Sequence, residues 1–118
     1  MAGGFRVKRV HDEPSPDDGL RVLVDRLWPR GISKERAQLD DWAKDAAPSD
    51  MLRRWYHEAP QQRQEEFAER YAAELEGAEQ RSRLDALRVQ AAKQTVTLLT
   101  ATRDVEHSHV QVLLRHLG

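Results

Sequence analysis

An α/β fold of one compact domain, with a small, mostly parallel sheet of three or four strands flanked by helices, is what this sequence predicts. Three observations carry that reading. The runs VLV at 22–24 and TVTLLTA at 95–101 are too continuously apolar for strands with one wet face, so they read as strands covered on both sides. Between them, apolar residues recur at helical spacing, most clearly Phe67, Tyr71 and Leu75 with Ala68 and Ala72 alongside. The resulting order of strand, strand, helices, strand and helix argues for α/β layering. At 118 residues the chain fits a single domain over 1–118, with 1–4 read as a flexible start.

Taken in order, Phe5 to Val10 is β-prone, and the following HDEPSPDDG is dense in turn residues, which ends the first strand near Val10. That loop is too short for a crossover helix. The second strand, Leu20 to Leu27, therefore either pairs antiparallel with the first or lies parallel to it through a bare crossover. Ile32 to Arg36 forms a short helical turn with Ser33 as its cap. Leu39 to Ala46 fits a short strand or a turn of helix equally well. Ser49 after Pro48 caps a helix to about His57, with Leu52, Trp55 and Tyr56 on its apolar side. The next helix is expected to begin at Pro60, where a missing amide is no loss, and to end at Gly77. A further helix over Glu79 to Lys93 buries Leu84, Leu87 and Ala91, and Val110, Leu113, Leu114 and Leu117 mark a closing helix. Glu66 and Arg70, four apart, read as solvated surface.

Composition narrows the function classes. Nineteen Lys and Arg face twenty Asp and Glu, so the net charge of −1 gives no global attraction to nucleic acid or acidic membranes, and any anion site must be local. Hydrophobic residues make up 39% and charged residues 33%, a polar but foldable mix, with a mean hydropathy of −0.79. The absence of Cys removes disulfides, thiolate nucleophiles and cysteine zinc sites, and agrees with a reducing compartment. The opening MAGGFRVKRV has no apolar signal core, and no stretch approaches the ~20 apolar residues a membrane span needs. A cytoplasmic protein is expected. No P-loop, GxGxxG, GxSxG elbow or HExxH is present, and no cofactor or metal is expected.

The stretch VLVDRLWPRGIS is the most informative segment. Asp25 and Arg26 fall at a strand end, and Pro29 and Gly31 hold Arg30 on a tight turn. A second strand end carries Arg103 and Asp104 after LLTAT. In open α/β sheets ligands gather beyond the carboxyl ends of parallel strands. If the two strands are parallel neighbours, these four groups face one crevice. Forked arginines could grip phosphate or carboxylate there, while each Asp orients an Arg or works as an acid or base. The competing reading is a structural ion-pair cluster that pins the loops.

The segment Glu106-His107-Ser108-His109 precedes or opens the last helix. Two His one residue apart point about 200° apart on a helix, and no third ligand has metal-site spacing, so a metal is not expected. His107 is instead a candidate acid or base, and Ser108 with Gln111 fits a capping box. Arg26, Arg30, Lys34 and Arg36 around Trp28 could also track a nucleic-acid backbone, although the acidic loop Asp12 to Asp18 argues against an extended footprint. Arg53 and His57 follow the APSD cap, where helix-start amides could add to an anion site. Trp42 and Trp55 read as core or pocket walls.

Together DGLRVLVDRLWPRGISKE, WAKDAAPS, LRRWYH, FAERYAAEL, LLTATRD and EHSHVQVLL resemble the YeaO-like branch of the family known as domain of unknown function 488, from about Val7 to the carboxyl end. The resemblance implies a compact α/β protein without an established reaction. Its polar signature falls on Asp25, Arg26, Trp28, Pro29, Arg30, Gly31, Lys34, Trp42, Lys44, Ser49, Arg53, His57, Asp104 and His107. Thr100 stands where that pattern has Tyr, Arg103 where it has Lys, and Ser108 where it has Asn. The Trp usual ahead of Phe67 is absent, with Arg63 and Gln64 near its place. A nucleophilic or proton-carrying lysine would have no counterpart in Arg103, since a guanidinium stays protonated, whereas a charge-binding role would survive.

The leading expectation is a pocket for a phosphate-bearing or otherwise anionic small molecule, formed by the WPRG loop, the APSD helix start and the TRD strand end. In it Arg26, Arg30 and Arg103 bind charge, Asp25 or Asp104 orients or takes a proton, and His107 is the next acid or base. Trp28, Gly31, Lys34, Trp42, Lys44, Ser49, Arg53 and His57 complete the candidate set. The rival is a nucleic-acid or protein-binding module without catalysis.

Overall fold

Four parallel strands make one sheet in the order β1, β4, β2, β3. In the computed structural model, which describes residues 4–118, these are β1 (Gly4–Arg9), β2 (Leu20–Leu23), β3 (Asp41–Trp42) and β4 (Thr95–Thr100). Of the expected flexible start, residues 1–3 lie outside the described residues, while Gly4 already belongs to β1. The helices are α1 (Lys34–Ala37), α2 (Asp50–Glu58), α3 (Gln64–Leu75), α4 (Ala78–Lys93) and α5 (His109–Leu117). Short 3-10 turns cover Pro16–Asp18, Lys44–Ala46 and Val105–His107.

The question of how the first two strands pair is answered by a strand that arrives later in the chain. β4 lies between them, with Phe5 opposite Val96 on one side and Val22 opposite Leu98 on the other. β4 is the most buried strand, with Val96 to Thr100 all inaccessible, as the apolar run TVTLLT requires. Its side chains alternate between faces. Val22, Val24, Val96 and Leu98 pack under Leu52, Phe67, Tyr71, Leu75, Leu84, Leu87, Val110 and Leu113 from α2 to α5. Leu23 and Leu99 point the other way, against Val10, Ile32 and Ala37 and the partly buried Trp28 and Trp42.

That second face has little helical cover, and a buried ionic cluster helps to close it. Asp18 is wholly inaccessible and pairs with Arg21 and with Lys8 at 3.0 Å, while Arg21 also donates to the Ala37 and Gln38 carbonyls. Burial alone would raise the Asp18 pKa, but the Ser15 amide, Lys8 and Arg21 together hold it below the usual carboxylate range. Beside it, Gly19 has φ +62, and a Cβ there would sit 2.1 Å from the Thr95 carbonyl oxygen. Only glycine fits that close approach.

Several element boundaries differ from the sequence reading. β2 stops at Leu23 rather than Leu27, because after the Val24 amide bonds to the Leu99 carbonyl the chain swings out of the sheet at Asp25. α3 starts at Gln64, not Pro60: the amides of Gln62 and Arg63 both donate to the Ala59 carbonyl, so Pro60 sits in the tight turn that reverses α2 into α3. Leu39 to Ala46 is both alternatives in succession, a two-residue strand and then a 3-10 turn. Ser108 caps α5 through the Val110 amide, but Gln111 bonds to the Val105 carbonyl instead of closing a capping box. Ser33 and Ser49 cap α1 and α2 as expected, and Glu66 pairs with Arg70 on the surface.

Candidate functional site

β2 and β4 are parallel neighbours whose outgoing connections leave toward opposite faces: β2 leads to α1 and β4 leads to α5. A crevice opens where neighbouring connections diverge, at the carboxyl ends of such strands. Here it is a cavity of about 660 Å³. Three chain segments wall it: the loop from Asp25 to Arg30, one face of α2 running into the start of α3, and the segment from Thr100 to His109.

The floor is fixed by Asp25. Its carboxylate accepts from the Thr100 hydroxyl and the Ala101 amide, both at 2.7 Å, which ties the β2 exit to the β4 exit. His109 donates from Nε2 to the Val24 carbonyl at 2.9 Å and lies 3.3 Å from Asp25. Because a carbonyl only accepts, that nitrogen carries the proton. Burial would raise the Asp25 pKa, but the His109 hydrogen bond and charge, the Ala101 amide and the Thr100 hydroxyl bring it below the ordinary value. Asp25 is therefore a satisfied anion at neutral pH, suited to holding the loops and poor at collecting a proton.

The walls carry the cations. Arg26 donates from Nε to the Pro48 carbonyl at 3.2 Å, which anchors a side chain that lines the pocket. Arg30 projects from the turn made by Pro29 and Gly31, the latter at φ +75. Arg53 reaches in from the first turn of α2, sharing the Asp50 carboxylate with Arg54. Its Nε is buried and has no hydrogen-bond partner. The Arg53 hydrogen bond, with the charges of Arg54, Arg53 and Arg26, holds the Asp50 carboxyl below its ordinary pKa. Among the described residues, neither Arg26 nor Arg30 has a carboxylate partner.

Two more imidazoles line the cavity with one nitrogen committed. His57 donates from Nδ1 to the Arg53 carbonyl at 2.7 Å, and His107 donates from Nδ1 to Asp104 at 2.9 Å. In each, Nε2 has no hydrogen-bond partner among the described residues. The Asp104–His107 pair is more than half exposed, so its electrostatic coupling is weak. An apolar and aromatic part of the wall is made by Leu27, Trp28, Tyr56, Pro60 and Phe67, with the Tyr56 and Phe67 rings 4.4 Å apart, and Gln61 and Gln64 lie beside it.

Of the residues singled out from the sequence, the cavity gathers Asp25, Arg26, Trp28, Arg30, Arg53, His57, Asp104 and His107. Six others lie elsewhere. Arg103 is exposed and is not among the lining residues, although its neighbours Thr102 and Asp104 are. Gly31 shapes the turn, and Lys34 is the exposed first residue of α1. Trp42 stands behind the wall, donating to the Asp25 carbonyl at 2.7 Å and meeting Trp28 edge to face, with the Lys44 ammonium over its ring. Ser49 caps α2 through the Leu52 amide and donates its hydroxyl to Glu74 on α3.

Sequence reasoning missed Tyr56, Gln61, Gln64, Phe67 and His109 as lining groups. Tyr56 and Phe67 look like core from their spacing, and they are core on one side. His109 carried a usable signal, because a Ser cap at 108 places it in the first helical position facing the strand end. No group of three or more His, Asp or Glu among the described residues could hold a metal ion. Among the described residues no helix is long and apolar enough to cross a membrane.

Comparison with known proteins gives a consistent result over nearly the whole chain. The family profile described as "Inactive DUF488-N3 subclade" matches residues 4–118. "Uncharacterized protein Rv3073c" of Mycobacterium tuberculosis is 48% identical over 113 residues, covering 96% of this chain and 92% of that protein. "Uncharacterized protein Mb3100c" of Mycobacterium bovis matches to the same extent. "Uncharacterized protein YeaO" of Escherichia coli is 42% identical over 109 residues, covering 92% of each. No solved structure matches.

Proposed function

Because this chain belongs to the DUF488 family, as a YeaO-like member of its inactive N3 subclade, we propose that its crevice binds a phosphate-bearing or otherwise anionic small molecule and leaves it chemically unchanged. One observation carries the reading. Arg26 and Arg30 from the 25–30 loop and Arg53 from α2 line one cavity, and among the described residues the first two form no salt bridge. Guanidiniums suit the planar, forked recognition of phosphate and carboxylate, and those of Arg26 and Arg53 are anchored by the Pro48 carbonyl and Asp50. A volume of about 660 Å³ falls within the range of small-ligand sites and well above that of a lone ion.

Three things support binding without turnover. Asp25 already accepts from the Thr100 hydroxyl and the Ala101 amide with His109 beside it, Arg103 replaces the lysine of the pattern that the chain resembles and lies outside the cavity, and the matched subclade is described as inactive.

The test is a thermal-shift and titration screen of phosphorylated small molecules on the wild-type protein and on Arg26→Ala and Arg30→Ala. A ligand that binds only the folded state raises its apparent stability. Each truncation removes charged hydrogen bonds of about 1.5–3 kcal/mol, so affinity is expected to fall roughly 10- to 100-fold with the fold intact. Equal affinity in both variants removes the loop arginines from the site. Product appearing from the bound ligand overturns the reading of binding without turnover.

A further inference from the structure

We infer that the anion taken by this crevice carries a planar heteroaromatic ring, as a nucleoside 5′-phosphate does. The inference rests on the anion-binding reading above and adds what the rest of the wall recognises. α2 and the start of α3 present a graded face to the cavity: Arg53, then Tyr56 and His57, then Pro60 and Gln61, then Gln64 and Phe67. Arg53, Tyr56 and His57 lie on α2, Pro60 and Gln61 in the turn, and Gln64 and Phe67 at the start of α3, so cation, aromatic surface and amide meet around one bend. Arg53 and Tyr56 are three residues apart, about 4.5 Å along the helix at 1.5 Å per residue. That is the order of separation a ribose sets between a 5′-phosphate and its base.

Each part of the wall matches one part of such a ligand. The guanidiniums of Arg26, Arg30 and Arg53 meet the phosphate. Tyr56, whose ring is only half-buried and is tilted 38° to the Phe67 ring, offers a flat surface for the base, with Pro60 beside it. Gln61 and Gln64 stand exposed at the rim, and each amide supplies both a donor and an acceptor for the polar edge of a base. A bare phosphate, pyrophosphate or sugar phosphate would satisfy the arginines and leave the aromatic wall wet. A single strand of nucleic acid would need cations continuing beyond the cavity, and the net charge of −1 gives it no wider attraction.

The experiment titrates the wild-type protein by calorimetry at constant ionic strength with four classes of probe: the four common nucleoside 5′-monophosphates, the corresponding nucleosides, ribose 5-phosphate, and a short single-stranded oligonucleotide. At least one monophosphate is expected to bind ten-fold or more tightly than both ribose 5-phosphate and its own nucleoside. Gln64→Ala, at an exposed position, is expected to reduce that preference while leaving ribose 5-phosphate binding unchanged. Equal affinity for ribose 5-phosphate and every monophosphate overturns the ring and leaves the anion site standing. No binding by any phosphate-bearing probe overturns both. An oligonucleotide that binds more tightly than every monophosphate, with affinity falling steeply as salt rises, overturns the small-ligand inference in favour of a strand track.

Discussion

Replacing Asp25 by Asn tests whether the floor of the crevice is an anion held by its neighbours. In the wild type, one carboxylate accepts from the buried Thr100 hydroxyl and from the Ala101 amide, with His109 Nε2 3.3 Å away. An Asn can keep the Ala101 bond through its carbonyl oxygen and donate to Thr100 if that hydroxyl rotates. Its amide group then faces His109 Nε2, whose proton is already committed to the Val24 carbonyl, so donor opposes donor. The charge-assisted part of the interactions is lost while a neutral hydrogen bond remains. About 1.5–3 kcal/mol of destabilisation follows at pH 7. For a domain of this size that lowers Tm by roughly 6–15 °C. Chemical denaturation of the wild type and variant as a function of pH reads the effect. Asp25 has a folded-state pKa below its ordinary 3.8, so the stabilisation is fully present above 3.8 and is lost as pH falls through the lowered folded value. The gap between the two proteins should therefore be constant from neutral pH down to about that point and close below it. A gap that persists unchanged into strong acid, or no gap at pH 7, refutes the assignment of Asp25 as a stabilised anion.

Asp18→Ala leaves the buried Arg21 and the largely buried Lys8 without their carboxylate and is expected to cost about 3–5 kcal/mol, read by denaturant midpoint. Two glycines with similar positive φ separate strain from collision. Gly31→Ala meets nothing within 4 Å and should cost only about 1–2 kcal/mol for its backbone conformation. Gly19→Ala drives a Cβ into the Thr95 carbonyl as well, and it should be clearly the more damaging of the two by thermal melt. Ser49→Ala removes the cap of α2 and the hydroxyl bonded to Glu74. It is expected to cost about 1–2 kcal/mol and to weaken phosphate binding through displacement of Arg53, with Ser49→Thr restoring both.

The α/β class, the buried central strand and the caps at Ser33 and Ser49 were legible because each depends on residues close in sequence. Continuous apolar runs, hydroxyls before helical stretches and a four-residue stripe are local signals. The strand order was not legible, since nothing near Val10 or Leu20 records that TVTLLT will insert between them. The start of α3 was misread because Pro60 suits both a first helical turn and a loop, and the two bonds to the Ala59 carbonyl that decide the matter are set by how α2 packs on α3. At the site, the strand-end residues Asp25, Arg26 and Asp104 were found from position alone. Tyr56, Gln64 and Phe67 were not, because a helix face that is half core and half cavity wall has the periodicity of core.

The late position of β4 also fixes when the protein can take shape during synthesis. β1 and β2 are not partners of one another: β1 pairs with Thr95–Thr100, and the β2–β3 pair is joined to it only through that same strand. A ribosome that has released the first ninety or so residues has delivered helices and three strands with the middle of the sheet missing. The crevice waits on the same event, because Thr100 and Ala101 supply the donors that seat Asp25. A nascent chain cut short before β4 therefore lacks both the centre of the sheet and the donors that complete the floor of the pocket.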